Sequence, residues 1–157
     1  MTDELPGVAA AAASGLDFRV VSTDPPTSAE ESAVLQGIEL GQLIRTIAVR
    51  RSSGDYLFVL VPGGRQIDWP RLRAHLGVSR LSLPEEAEAK EATGYARGAI
   101  TPFGSAGALP VVADETVAAA GVVAIGAGAR GVNIHLAAAD LLRALDADLA
   151  DVTRPAG

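Results

Sequence analysis

The stretch that decides the fold reads RTIAVRRSSGDYLFVLV and runs from Arg45 to Val61. Its two ends, Arg45–Arg51 and Tyr56–Val61, have the composition of β-strands, and the residues between them are the small and polar sequence Ser-Ser-Gly-Asp. A loop of this chemistry predicts a β-hairpin. Tyr56–Val61 is apolar throughout, which is typical of a strand that is covered on both faces. We therefore expect an antiparallel pair of strands within a sheet that is buried on both sides.

Helix and strand signals continue on both sides of the hairpin. Phe18–Ser22 reads as a short strand, and the capping-box patterns that begin at Thr27 and Ser28 predict a helix that ends at Gly37. Further along the chain we predict one helix that begins at Asp68 and ends at Gly77, and a second that begins at the Ser82-x-x-Glu85 capping box and ends at Gly94. A helical turn should follow Asp114, and a last helix should span Ala138–Leu145. Strands are predicted at Leu109–Ala113, Val122–Ile125 and Val132–Leu136. This interleaving predicts a single α/β domain of the α+β type with a mixed sheet over residues 1–157, its first 14 residues partly disordered.

The composition excludes several classes of protein. The chain has 157 residues, of which 48% are hydrophobic, and this is enough for one domain with a substantial core. It has no cysteine, so disulfides, thiol nucleophiles and zinc–thiolate sites are excluded. No apolar run is long enough for a transmembrane helix, and Asp3 and Glu4 stand where a signal peptide carries basic residues. We therefore expect a cytoplasmic protein that does not bind membranes.

The charge is unevenly distributed along the chain. The net charge of −6 argues against a protein whose whole surface binds nucleic acid, and DNA is not expected as a partner. Between Arg45 and Arg80, however, seven arginines stand against two aspartates, which gives this segment a charge of +5. Two interpretations remain open: the segment meets the phosphates of a nucleic acid, or its arginines solvate exposed faces.

The segment Gly126–Gly131 matches the dinucleotide-binding pattern G-x-G-x-x-G. That pattern requires a helix directly after it, so that the N-terminus of the helix receives the pyrophosphate. Here the next residues, Val132–Leu136, alternate between apolar and polar side chains as a strand does. We therefore predict a hairpin turn whose glycines adopt positive φ angles, and no dinucleotide site.

The sequence contains no recognisable catalytic or metal-binding constellation. It has no G-x-S-x-G nucleophile elbow, and neither His75 nor His135 has a neighbouring second ligand. We interpret His75 as a surface residue and place His135 on the same face of its strand as Asn133. The glutamates of the segment Glu85–Glu91 are expected to form a solvated helix face. No metal or other cofactor is expected, and an enzyme with this sequence would not use a protein nucleophile.

The order of several short motifs resembles that of the YbaK family, the editing domains related to the insertion domain of bacterial prolyl-tRNA synthetase. Gly94–Gly104 reads GYARGAITPFG and is similar to the family's T-G-Y-x-x-G-x-x-x-P-x-G segment. Five further pieces follow the family order, namely Arg45-Thr46-Ile47 for Lys-Thr-Leu, Val61-Pro-Gly-Gly for Val-Pro-Gly, Ile67-Asp68 for Leu-Asp, Gly128-Ala-Arg130-Gly131 for Gly-x-Arg-Gly, and Asp140-Leu141 for Asp-Leu. The resemblance extends from about Phe18 to Val152.

This resemblance implies a fold, an activity and a site. The fold would be a mixed α/β domain with a curved sheet around a small pocket. The activity would be that of a freestanding trans-editing deacylase, which hydrolyses the ester of a mischarged tRNA while the terminal ribose hydroxyl of the substrate assists the attacking water. The acceptor end of the tRNA, and an aminoacyl-tRNA synthetase, would be the partners. The resemblance implies Arg45 and Gly98 as catalytic residues, Thr46, Ala99, Ile100, Thr101, Pro102, Gly126 and Asn133 as substrate-binding residues, and Arg50, Arg51, Arg71 and Arg73 as tRNA-binding residues.

Three positions depart from the family pattern. Arg45 replaces the usual lysine, which exchanges a compact ammonium for a longer planar fork. Asn133 and Gly126 stand where the subgroup that removes cysteine from the tRNA for proline carries an aspartate and a serine. The substrate is therefore open among small amino acids, and a non-catalytic module that binds an aminoacyl or nucleotide ligand, or a synthetase, is the alternative.

Overall fold

The helices of this chain pack against a seven-stranded mixed sheet. The computed structural model describes residues 5–96, 99–105 and 109–156. The helices are α1 (Pro6–Ala13), α2 (Ala29–Gln36), α3 (Trp69–Leu76), α4 (Glu86–Thr93), α5 (Glu115–Ala118) and α6 (Ala138–Ala144), with a 3₁₀ turn at Leu40–Gln42. The strands are β1 (Arg19–Ser22), β2 (Leu43–Ser52), β3 (Asp55–Pro62), β4 (Arg65–Ile67), β5 (Val111–Asp114), β6 (Val122–Gly126), β7 (Val132–Ala137), β8 (Asp148–Ala150) and β9 (Thr153–Pro155).

The strand order of the sheet is β1-β7-β6-β2-β3-β5-β8. The pairs β1–β7, β7–β6 and β2–β3 are antiparallel, whereas β6–β2, β3–β5 and β5–β8 are parallel. Strands β4 and β9 form a separate antiparallel pair. The prediction of an α/β fold with a mixed sheet is confirmed.

None of the helices in the described part of the chain is both long and apolar enough to cross a bilayer.

The predicted hairpin of β2 and β3 forms the middle of the sheet. Ser52 pairs with Asp55, so the turn consists of Ser53 and Gly54, and Gly54 has the positive φ angle of 74° that such a turn requires. The alternating residues of β3 pack into two separate cores. Phe58 and Leu60 lie in the core under α1, α5 and α6, and Leu57, Val59 and Val61 lie in the core that contains Leu72 of α3. This confirms that β3 is covered on both faces.

Local capping signals place α2 and α3 as predicted. Ser28 Oγ accepts a hydrogen bond of 3.0 Å from the backbone N–H of Glu31, and α2 ends at Gly37 with a φ of 70°. The carboxylate of Asp68 accepts from the backbone N–H of Arg71 at 3.2 Å and begins α3. Both contacts lie within four residues, so the sequence alone is sufficient to predict them.

The predicted capping box at Ser82 is wrong. Helix α4 begins at Glu86, four residues later, and its N-cap Glu85 makes no side-chain capping bond. Ser82 instead forms an antiparallel bridge with Arg50 of β2, and Ser82 Oγ accepts from Arg50 Nε at 3.1 Å. A tertiary contact therefore occupies the groups that would have capped the helix. The prediction that the glutamates of this segment form a solvated helix face is also wrong for Glu88, whose carboxylate lies 3.1 Å from Arg50 Nη1.

The glycine-rich segment after β6 is a hairpin turn, as predicted. Strands β6 and β7 pair antiparallel on either side of it, and Gly128 and Gly131 have φ angles of 103° and 80°. No helix follows, because the next residues continue directly as β7. The turn is therefore a way of bringing β7 back against β6 and β1, and it contributes to the wall of the cavity described below.

Candidate active site

A cavity of about 440 Å³ opens between α2, β2, the β6–β7 turn and the loop residues Ala99 and Ile100. Its walls include six of the residues that the sequence singled out, namely Arg45, Thr46, Ala99, Ile100, Gly126 and Asn133. These residues come from four segments separated by up to 88 positions. The structure therefore brings most of the candidate substrate-binding residues into one place.

The cavity lies where β2 and β6 stop pairing. Their parallel ladder consists of only two residue pairs, Leu43 with Ala124 and Ile44 with Ile125. Beyond this ladder Arg45 and Gly126 line the cavity. Because the parallel pairing of β2 with β6 ends inside the sheet, there is room for a ligand between these two strands. On their other sides β2 stays paired with β3, and β6 with β7.

Two buried polar atoms at this cavity have no hydrogen-bond partner among the described residues, Arg45 Nε and Thr46 Oγ1. Arg45 is otherwise held by a hydrogen bond that its Nη2 donates to the backbone oxygen of Arg65. A buried donor without a partner typically costs about 1–3 kcal/mol, so such atoms mark a place where a ligand is expected to bind. The two atoms are unsatisfied polar groups in residues of the cavity wall, and they are candidates for contact with a polar ligand.

The described cavity wall is basic. Arg45 and Arg130 line it, and none of its described lining residues is an aspartate or a glutamate. Burial lowers the pKa of Arg45, and the nearby charge of Glu30 raises it in partial compensation, but a guanidinium stays protonated in proteins. Arg130 donates from Nη2 to the backbone oxygen of Pro26 at 2.7 Å, which fixes it between the β6–β7 turn and the segment before α2. This wall favours an anionic group such as a phosphate.

The loop that resembles the family's G-x-x-x-P segment is held by hydrogen bonds to the backbone of Phe103. Tyr95 donates its hydroxyl to the backbone oxygen of Phe103 at 2.6 Å, and Thr101 Oγ1 accepts from the backbone N–H of Phe103 at 3.3 Å. Thr101 is fully buried, and neither it nor Pro102 is among the lining residues. Gly98 lies outside the described residues.

The four candidate tRNA-binding arginines do not line the cavity. Arg50 pairs with Glu88 at 3.1 Å, Arg51 with Asp55 at 3.2 Å and Arg71 with Asp151 at 2.9 Å. Arg73 is half-buried in the last turn of α3. The charge of the basic segment is thus partly balanced by carboxylates from its own strand hairpin and from more distant elements, and tRNA binding by these arginines stays a prediction.

The two histidines differ in their surroundings. His75 is exposed, as expected, and its Nε2 lies 2.6 Å from Asp148 Oδ2. His135 is buried, with its Nε2 2.8 Å from Gln36 Oε1. In the described ranges no group of three His, Cys, Asp or Glu residues is placed to hold a metal ion.

Sequence reasoning missed the contribution of α2 to the cavity. Ser28, Ala29 and Ser32 all line it, together with Arg130 of the β6–β7 turn. Ser28 and Ser32 are four residues apart in a predicted helix, so their shared face was predictable. That this face meets β2 and β7 follows only from the long-range packing of the fold.

The chain is similar in sequence and fold to proteins whose names refer to the editing or charging of tRNA. The sequence model of a family described as aminoacyl-tRNA editing domain matches residues 23–144. The multifunctional Ser/Thr-tRNA deacylase ProXp-y of Escherichia coli K12 is 31% identical over 146 residues, which cover 90% of this chain and 87% of that protein. A proline–tRNA ligase of Stenotrophomonas maltophilia is 32% identical over 145 residues, 90% of this chain and 25% of the ligase. A solved structure of a candidate trans-editing enzyme for prolyl-tRNA synthetase has a TM-score of 0.84 at 25% identity and covers 93% of each chain.

Proposed function

The chain belongs to the aminoacyl-tRNA editing domain family, and from this premise we propose that it is a trans-editing deacylase that hydrolyses the ester of a tRNA mischarged with a small amino acid. The observation that carries the proposal is the basic cavity with the unpartnered Arg45 Nε and Thr46 Oγ1 in its wall. Such a cavity offers a cation for the terminal phosphate of the tRNA and hydrogen-bonding groups for the aminoacyl end. The relatives that match along most of their length, rather than as a quarter of a synthetase, support a freestanding enzyme.

The chemistry fits substrate-assisted hydrolysis. The described lining residues include no His, Asp or Glu that would act as a general base for a serine or threonine nucleophile. Water therefore attacks the ester carbonyl with help from the ribose hydroxyl of the substrate. A bond forms between the water oxygen and the carbonyl carbon, the ester C–O bond breaks, and a proton lost by the water passes to the leaving ribose oxygen, so that the free amino acid and the tRNA hydroxyl are released. The protein supplies the orientation of water, ester and hydroxyl, which by itself can contribute large rate factors.

We propose the acceptor end of mischarged tRNA as the substrate, a synthetase as an associated partner, and the cytoplasm, where charged tRNA is used, as the location. The alternative of a non-catalytic binding module has less support, because the matched E. coli relative is named as a deacylase. A panel of tRNAs charged with alanine, cysteine, serine and threonine decides between them. Release of at least one amino acid well above the buffer rate is expected, and buffer-level release of all four would contradict the enzyme.

We expect Gly126→Ala to narrow the cavity without harming the fold. A Cβ at this position would meet its nearest neighbour, the backbone oxygen of Ile100, at the ordinary contact distance of 3.8 Å. One methyl group in an amino-acid pocket changes discrimination about 10-fold or more. The ratio of deacylation rates for alanine-charged over threonine-charged tRNA is therefore expected to rise about 10-fold, with the melting temperature nearly unchanged.

Gly131→Ala is the matched control for this prediction. Gly131 also lines the cavity, but its φ is +80° and a Cβ there would lie 2.6 Å from the backbone oxygen of Thr23. This variant is expected to lose stability because its backbone is strained. Unchanged substrate ratios in Gly126→Ala would show that this wall does not contact the amino acid.

Whether Arg50 and Arg51 bind tRNA can be tested by measuring how the affinity for tRNA depends on salt concentration. If each guanidinium leaves its carboxylate, Glu88 or Asp55, to meet a phosphate, changing both arginines to alanine weakens binding of all tRNAs. The slope of log affinity against log salt should then become shallower by about one for each lost contact. An unchanged slope, measured by titration of uncharged tRNA, would show that the two arginines serve only their intramolecular ion pairs.

A further inference from the structure

A chain of polar side chains runs from the exposed Arg19 through three buried residues to the wall of the cavity. It consists of Ser32 and Gln36 of α2, His135 of β7 and Arg19 of β1. Gln36 Nε2 donates to Ser32 Oγ at 2.8 Å, His135 Nε2 lies 2.8 Å from Gln36 Oε1, and Arg19 Nη2 lies 3.5 Å from His135 Nδ1. Ser32, Gln36 and His135 are only 6%, 8% and 7% exposed. The chain joins β1 and α2, which are close in the sequence, to β7, which lies about 100 positions further along.

The amide of Gln36 gives this chain a direction, because its oxygen faces His135 Nε2 at 2.8 Å while its nitrogen donates to Ser32 Oγ at 2.8 Å. His135 Nε2 therefore carries the proton and donates to Gln36 Oε1, and Nδ1 carries the lone pair, which faces the donor-only guanidinium of Arg19 at 3.5 Å. The amide nitrogen of Gln36 then donates to Ser32 Oγ. The opposite direction would place an N–H of His135 against an N–H of Arg19. Burial and the charge of Arg19 lower the pKa of His135, which keeps the imidazole neutral as this arrangement requires.

The chain ends on a hydroxyl whose proton is free. Ser32 Oγ already accepts from Gln36, and no described residue accepts a hydrogen bond from it. Ser32 lines the cavity, where Arg45 and Thr46 also carry unpartnered polar atoms. A hydroxyl oriented in this way presents a donor to whatever occupies the cavity.

We propose that Ser32 donates a hydrogen bond to an acceptor oxygen of the bound aminoacyl end, and that Gln36, His135 and Arg19 are positioning residues that fix this direction. The inference rests on the proposed function, since the acceptor belongs to the mischarged tRNA. The oxygen lies either on the ester and ribose, which every substrate has, or on the side chain of serine or threonine. The two sources require the same donor and are separated by the choice of substrate.

The first experiment measures deacylation of alanine- and serine-charged tRNA by Ser32→Ala. The loss of one neutral hydrogen bond corresponds to about a 10-fold lower kcat/KM. An equal loss on both substrates supports the ester or ribose oxygen, and a loss confined to serine supports the side chain. Val34→Ala, an exposed position on the same helix, is the control and should keep the parent rate. Parent rates in Ser32→Ala on both substrates, with the wild type active, would overturn the proposal.

The second experiment reverses the chain without changing its shape. In Gln36→Glu the carboxylate can only accept, so it draws the Ser32 proton away from the cavity. We expect about the same loss as in Ser32→Ala, and no further loss when the two changes are combined. Independent, multiplicative losses would mean that Gln36 supports only the packing of α2, and would overturn its positioning role.

The third experiment is independent of activity. Long-range ¹⁵N–¹H spectra of the wild-type protein identify the tautomer of His135, and the Nε2–H form is expected. The Nδ1–H form, or a protonated ring at pH 7, would overturn the proposed direction. If wild-type protein released no amino acid from any charged tRNA, the proposed function would fail, and with it the assignment of the acceptor, while the tautomer would still decide the direction of the chain.

Discussion

Replacing Arg45 with alanine is expected to lower kcat/KM for deacylation about 10- to 100-fold, which is the effect of losing hydrogen bonds to a charged group. Arg45 lines the cavity with its Nε buried and unpartnered, and the only other described arginine in the wall, Arg130, is held by Pro26. No neighbour is therefore free to replace the lost cation. Because a phosphate contact acts on the whole tRNA and not on the reacting ester, we expect most of the loss in KM and less in kcat.

Arg45→Lys is the matched variant, since it keeps the charge and restores the residue type usual in the family that this chain resembles. It should retain most of the activity, although the three donors of an ammonium sit on one nitrogen and cannot replace both the Nη2 contact with the backbone oxygen of Arg65 and the separate donor at Nε. Initial rates over a range of tRNA concentrations separate KM from kcat. An Arg45→Ala enzyme with parent kinetics would remove Arg45 from the site.

The parts of the fold that could be predicted are those with local causes. The hairpin of β2 and β3, the caps at Ser28 and Asp68 and the glycine turn at Gly128 depend on residues within a few positions of one another. Ser82 shows the limit of this reasoning. Its capping pattern is intact in the sequence, but a bridge to Arg50, 32 positions away, determines its conformation. At Ser82 long-range pairing therefore overrides the local capping signal.

The candidate site divides in the same way. Motif order was enough to single out Arg45, Thr46, Gly126 and Asn133, and the fold brings all four to one cavity. Ser32 was not predicted, because its importance comes from Gln36 and from a histidine on a strand 103 positions away. A sequence shows that Ser32 shares a helix face with Ser28, but not which strand covers that face. Polar chains between distant elements are therefore the features that a single sequence cannot supply.

Replacing Asp114 with alanine is expected to lower the free energy of unfolding by about 3–4 kcal/mol, since two buried backbone donors and one partly buried donor lose a charged acceptor. Asp114 is 1% exposed. Its Oδ1 accepts from the backbone N–H groups of Val152 and Thr153, each at 3.0 Å, and its Oδ2 accepts from the N–H of Thr116 at 3.1 Å. One carboxylate thus joins the end of β5 to α5 and to the last strand, β9.

The contribution of Asp114 should depend on pH in a defined direction. Burial alone would raise the pKa of Asp114, but the hydrogen bonds from Thr116, from the backbone of Val152 and from Thr153 outweigh burial and hold the pKa below its ordinary value. The folded protein therefore binds this proton less tightly than the unfolded chain does. The stabilisation is fully present above the unfolded pKa of about 3.9 and is lost as the pH falls through the folded value.

Urea unfolding of the wild type, Asp114→Ala and Asp114→Asn at pH 7 and in acid tests this account. The asparagine variant keeps one acceptor oxygen, so its loss at pH 7 should be about half that of Asp114→Ala. The difference between the wild type and Asp114→Ala should narrow in acid, because protonation weakens the same hydrogen bonds that the substitution removes. A loss below about 1 kcal/mol at pH 7, the effect of an average substitution, would show that the three donors find other partners. An equal loss at both pH values would show that the charge of Asp114, as distinct from its shape, contributes nothing.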